Sequence, residues 1–97
     1  MKEAEALARL RRLPGWTLAP NGKSIRRDYV LKDFLSVVEL IRRIARRAEA
    51  MGHHPDLHLT GYRKLKVVLS THDAGGLSLK DFRLAILIDE LAKRFPV

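Results

Sequence analysis

Residues 25–52 read IRRDYVLKDFLSVVELIRRIARRAEAMG, and the spacing of their apolar residues changes once, at Asp33. Before it, Ile25, Arg27, Tyr29 and Leu31 alternate with polar or smaller neighbours, the period of a half-buried strand with one charged misfit. After it, Phe34, Val37, Val38, Ile41, Ile44, Ala45 and Ala48 recur at i, i+3, i+4 and i+7, the stripe of an amphipathic helix about five turns long. Leu35 and Leu40 fall off that stripe and suggest a second apolar contact. Arg42, Arg43, Arg46 and Arg47 lie on its polar side. Gly52 is suited to end the helix, because left-handed backbone costs glycine nothing.

Working outward, WTLAPNGKSIRRDYVL (16–31) reads as a hairpin. Asn21-Gly22 predicts a type I′ turn, with Pro20 at the strand end. Upstream, EAEALARLRR (3–12) is composed of good helix formers, and LPG (13–15) stops it. Downstream, residues 57–62 and 65–71 predict a second hairpin, with Leu65, Val67 and Leu69 on one face. Gly61 marks a bulge or sharp bend. Ser78 and Asp81 resemble a capping box, with Asp for the usual Glu. The last helix carries Leu79, Phe82, Ala85, Ile86, Leu87 and Leu91 and ends near Arg94. The predicted class is α+β. The order α-β-β-α-β-β-α gives a four-stranded antiparallel sheet with three helices on one face, a single domain over 1–97.

The bulk numbers set limits. Hydrophobic residues make up 46% and charged residues 31% of the 97, ordinary for a folded domain. There is no cysteine, which excludes disulfides and thiolate metal sites. No apolar run reaches the ~18 residues needed to span a bilayer, and MKEAEALARL has no signal-peptide core, so a cytoplasmic protein without a membrane partner is expected. The net charge of +8 favours anionic partners. The six aromatics do not interleave with the basic runs, so a nucleic-acid partner is not favoured.

All four histidines fall in GHHPDLHLT (52–60) and LSTHDAGGLS (69–78). Three readings compete: a metal site, a pair of surface loop histidines, and an acid–base group. His54 and His58 have H-x-x-x-H spacing, but Pro55 lies between them, in loop and strand rather than helix. Side chains of adjacent His53 and His54 diverge. Closure of the second hairpin brings His53, His54 and His72 to one edge of the sheet, with Glu49 one helical turn before His53. Imidazoles titrate near neutral pH, so such a group can give and take protons.

The pattern resembles the pterin-4a-carbinolamine dehydratases. It runs Glu49, three residues, HHP (53–55), six residues, Tyr62, nine residues, His72, eight residues, Asp81. GW (15–16), I-x-R-x-[FY] (25–29), DF (33–34), AE (48–49) and THDAGGLS (71–78) are similar to the same family, so the likeness extends from Leu13 to Asp89. It departs at Gly52, where members often carry Asp or Asn, and in having six residues rather than five between Pro55 and Tyr62. The resemblance implies the fold derived above. It also implies dehydration of 4a-hydroxytetrahydropterin to quinonoid dihydropterin plus water, in tetrahydropterin recycling, with no metal and no bound cofactor. His53, His54, His72 and Glu49 are implied as catalytic, with His53 and His72 as acid and base and His54 orienting substrate. Trp16, Pro55 and Asp81 are implied as substrate-binding, Asp81 by organising the site through its helix start. A homodimer or homotetramer is implied. A non-catalytic binding or dimerisation module for a protein or nucleic-acid partner is the alternative role.

Overall fold

The computed structural model describes residues 1–97. The chain runs α1 (Glu3–Leu10), β1 (Thr17–Leu18), β2 (Ile25–Val30), α2 (Phe34–Met51), β3 (Asp56–Thr60), β4 (Lys64–Leu69), a single 3₁₀ turn (His72–Ala74) and α3 (Leu79–Ala92). The strands form one antiparallel sheet in the order β1-β2-β4-β3. The three helices cover one face of it, as the amphipathic patterns require. Alternation along each strand decides what enters the core. Ile25 and Tyr29 of β2 and Leu65, Val67 and Leu69 of β4 are buried beneath the helices, while Lys64 and Lys66 of β4 stay exposed.

Arg27 shares the core-facing side of β2 and is the misfit of the alternating pattern. Its guanidinium donates to Asp89 Oδ1 at 3.0 Å and to the Pro14 carbonyl at 2.8 Å, and it lies 4.8 Å from the centre of the Tyr29 ring. Asp89 also accepts from both the Tyr29 hydroxyl and the Trp16 indole N–H. One carboxylate near the end of α3 thus ties the helix to β2 and to the segment after α1. Gly15 makes room for the Arg27 guanidinium: its φ is +95°, and a Cβ there would stand 2.7 Å from Arg27 Cζ. Burial, then the Asp89 hydrogen bond, raise the Tyr29 phenol well above its ordinary range.

Helix α2 starts on Asp33, whose side chain accepts from the Ser36 N–H at 2.8 Å, and ends on Gly52 at φ 64°. Its buried residues are Val37, Leu40, Ile44 and Ala48. Leu40, expected off the stripe, is therefore in the core, with no exposed area (0%). The stripe is rotated relative to the expected one, leaving Phe34, Val38 and Leu35 exposed, Leu35 at 76%. In α3 the buried set is Asp81, Phe82, Leu84, Ala85 and Ile88, whereas Leu79 and Ile86 are exposed.

Both hairpin tips differ from the expected geometry. Asn21 is not left-handed, so the first turn is not type I′. Instead Gly22 N–H bonds the Ala19 carbonyl at 2.8 Å, which sets Pro20 second in a four-residue turn, where its fixed φ is favourable. The strand expected to run to residue 62 ends at Thr60, which pairs with Lys64. Between them Gly61 (φ 53°) and Tyr62 (φ 56°) are both left-handed and turn the chain.

Candidate active site

The end of α2 divides the two adjacent histidines. At Gly52 the left-handed turn closes with His53 N–H bonding the Ala48 carbonyl at 3.1 Å. The His53 ring turns inward and is 8% exposed, while His54 turns outward. His54 Nε2 meets Glu49 Oε1 at 3.2 Å, in full view of solvent. Continuing the β3–β4 register, in which Asp56 pairs with Val68, sets His53 opposite Thr71. His72 follows on the 3₁₀ turn and is exposed. Half-buried Pro55 leads the chain from His54 into β3.

His53 and Asp81 form the tightest contact at this end of the sheet. His53 Nε2 lies 2.6 Å from Asp81 Oδ1. The Asp81 side chain is wholly buried (0%), and its other oxygen accepts from the Thr71 hydroxyl at 2.7 Å and the Ser78 N–H at 3.0 Å. Asp81 already accepts two hydrogen bonds at its other oxygen, as a carboxylate does, so at Oδ1 the donor is the His53 Nε2–H. His53 Nδ1 makes no hydrogen bond, and it is not sealed in, because Arg26 Nε is the one buried side-chain polar atom without a partner. Asp81 therefore fixes the tautomer of an imidazole whose other nitrogen makes no hydrogen bond within the chain, the arrangement that orients a general base.

Ser78 and Asp81 form the full capping box expected at the start of α3. The same carboxylate thus serves the helix and the histidine. The His53 contact went unread because a first-turn acid has a sufficient local reason at a helix start. The missed signal is that Asp81, Leu84, Ala85 and Ile88 share the i, i+3, i+4, i+7 stripe, which puts a carboxylate on the buried side. Thr71, likewise unforeseen, sits beside His72 in the sequence.

His72 borders a polar cleft of about 410 Å³ with Asn21, Lys23, Ser24, Ser70 and Thr71. That cleft is lined by neither His53 nor the His54–Glu49 pair. Trp16 is elsewhere, its indole N–H 3.1 Å from both oxygens of Asp89. A larger cavity, about 690 Å³, lies at the other end of β2 over Tyr29, Val30 and Asp89, away from His53, His54 and His72. No three His, Asp or Glu side chains converge as ligands for a metal ion. No helix is long and apolar enough to cross a membrane.

This α+β architecture is that of the pterin dehydratases. The crystal structure of a transcriptional coactivator/pterin dehydratase from Brucella melitensis matches with a TM-score of 0.89 and 29% identity, covering 95% of this chain and 97% of that one. A pterin dehydratase-like protein identified as a RuBisCO assembly factor in the α-carboxysome shares the fold at a TM-score of 0.68 and 15% identity, covering 80% of this chain and 89% of that one. The chain belongs to the pterin 4 alpha carbinolamine dehydratase family, whose model matches residues 1–91. Curated relatives agree. A "Putative pterin-4-alpha-carbinolamine dehydratase" of Roseiflexus castenholzii is 46% identical over 94% of this chain and 95% of its own length. The protein of the same name in Saccharolobus solfataricus is 41% identical over 95% and 90%.

Proposed function

We propose that this protein dehydrates 4a-hydroxytetrahydropterins to quinonoid dihydropterins by histidine acid–base catalysis. The observation that carries this reading is the His53–Asp81 pair, with a fixed Nε2–H and a free Nδ1, in a chain of this family. The reaction needs one proton removed and one supplied. A base takes the proton from N5, and the N–H bonding pair becomes the C4a=N5 π bond. The C4a–O pair leaves with oxygen, which takes a proton from an acid and departs as water. His53 Nδ1 is the base in this scheme. Exposed His72 is the acid. His54, paired with Glu49, orients the substrate. No step calls for an oxidant, a metal or a cofactor.

The decisive test is the rate of quinonoid dihydropterin formation from chemically generated carbinolamine, with and without the protein. Each positioned histidine is expected to contribute about 10²–10⁴-fold. His53→Ala and His72→Ala together should return the rate to the uncatalysed one with the fold intact, and an undiminished rate rejects the assignment.

The same reading includes a cytoplasmic homodimer or homotetramer, supported by the apolar face of Phe34, Leu35 and Val38 that α2 leaves uncovered. That face also supports a second reading, a protein-binding role; the Brucella relative is named a transcriptional coactivator as well as a pterin dehydratase. A measured mass of one chain, together with loss of a protein partner on Leu35→Lys, would favour the second over self-association.

A further inference from the structure

The hydrogen bonds behind His53 run in one direction. The Thr71 hydroxyl gives its proton to Asp81 Oδ2 at 2.7 Å. Its oxygen also lies 2.7 Å from Ser78 Oγ, and with the Thr71 proton committed, the Ser78 hydroxyl must be the donor there. Ser78 Oγ accepts in turn from the Lys80 N–H at 3.3 Å. The Ser78 N–H fills the second site on Asp81 Oδ2 at 3.0 Å, leaving Oδ1 to face His53. Three segments meet in this chain of bonds: the end of β4, the cap of α3 and the loop after α2. Thr71 is itself buried, so its hydroxyl meets Asp81 out of bulk water.

From this we infer that Thr71 is a positioning residue: through Asp81 it locks His53 in the Nε2–H tautomer, so that Nδ1 is the nitrogen offered to substrate. The role rests on the dehydratase reading only for its effect on rate. Its effect on the imidazole is a property of the chain alone. Without the Thr71 hydroxyl, Asp81 Oδ2 keeps the Ser78 N–H but loses a buried donor, and the carboxylate is free to rotate toward the gap. The Nε2–H bond then loosens and both ring tautomers become populated. A filler of the threonine's shape preserves packing, so the change falls on orientation. Wrong tautomers and displaced bases lower turnover far more than they lower binding.

Long-range ¹H–¹⁵N spectra of the histidine rings at mildly alkaline pH read the tautomer directly. The unaltered protein should show His53 as Nε2–H, and an Nδ1–H ring overturns the inference without any variant. Thr71→Val should give mixed tautomers and a kcat lowered about 10-fold or more with KM changed less than about twofold. Thr71→Ser should restore both signals. A Thr71→Val protein that keeps the pure Nε2–H form and full kcat overturns the inference. If circular dichroism shows Thr71→Val unfolded, Thr71→Ala is read in the same two ways. Should the unaltered protein not accelerate dehydration at all, the dehydratase reading falls, while the spectra still decide whether Thr71 sets the ring.

Discussion

At the scale of single residues, the structure turns on polar side chains in apolar places. Arg27 is visible in the sequence as a misfit on an alternating strand. Its partner is not, because Asp89 lies 62 positions away and no local pattern links the two. Asp89→Ala would leave Arg27, Tyr29 and Trp16 without their common acceptor. The expected loss is about 3 kcal/mol of unfolding free energy, read from urea denaturation. Gly15→Ala combines a left-handed backbone with a Cβ pressed on the guanidinium, and should cost about 1–3 kcal/mol by the same measurement. His53, His54 and His72 were legible as neighbours at one end of the second hairpin, from their spacing around it. Which neighbour holds which ring was not legible: a helix-capping acid looks the same in sequence whether or not its second oxygen is engaged.

At the scale of elements, the helix and strand types follow from period, while phase and termini follow from packing. The apolar residues of α2 cover a wide arc, because Phe34, Leu35 and Val38 adjoin the true core stripe of Val37, Leu40, Ile44 and Ala48. A window over so wide an arc finds the period and misplaces its centre. Leu40→Ala tests the phase: burial predicts a loss of about 2–5 kcal/mol, whereas a surface leucine would cost about 0.5 kcal/mol or less. Helix α3 is apolar on most sides, which is why the expected face took in exposed Leu79 and Ile86 and left out buried Leu84 and Ile88. Along α2, the Arg42 hydrogen bond and then the Arg43 hydrogen bond hold Glu39 down to about 2. That carboxylate remains charged through all but strongly acidic solution. Its pairs are open to solvent, so they steady the helix surface rather than the fold.

For the whole molecule, alkaline pH probes how the ends of the fold are joined. The Tyr29 pKa is raised in the folded chain, so its stabilising share is complete below the ordinary phenol pKa of about 10. Above that the unfolded chain loses the proton first, and unfolding free energy should fall by about 1.4 kcal/mol per pH unit. Tyr29→Phe should remove that slope; an unchanged slope would mean that the phenol ionises freely in the folded state. The exposed face of α2 acts at the same scale: Leu35→Lys should lower the mass found by light scattering if copies associate there, and an unchanged multimer would place the contact elsewhere. The single carboxylate that both starts α3 and grips the inner imidazole has a consequence for biosynthesis. Residues 53 and 72 leave the ribosome before residue 81, so a growing chain carries both rings while the inner one still swings free. In the dehydratase scheme proposed above, competence would arrive only with the closing helix, and a truncated product would inherit the histidines without their aim.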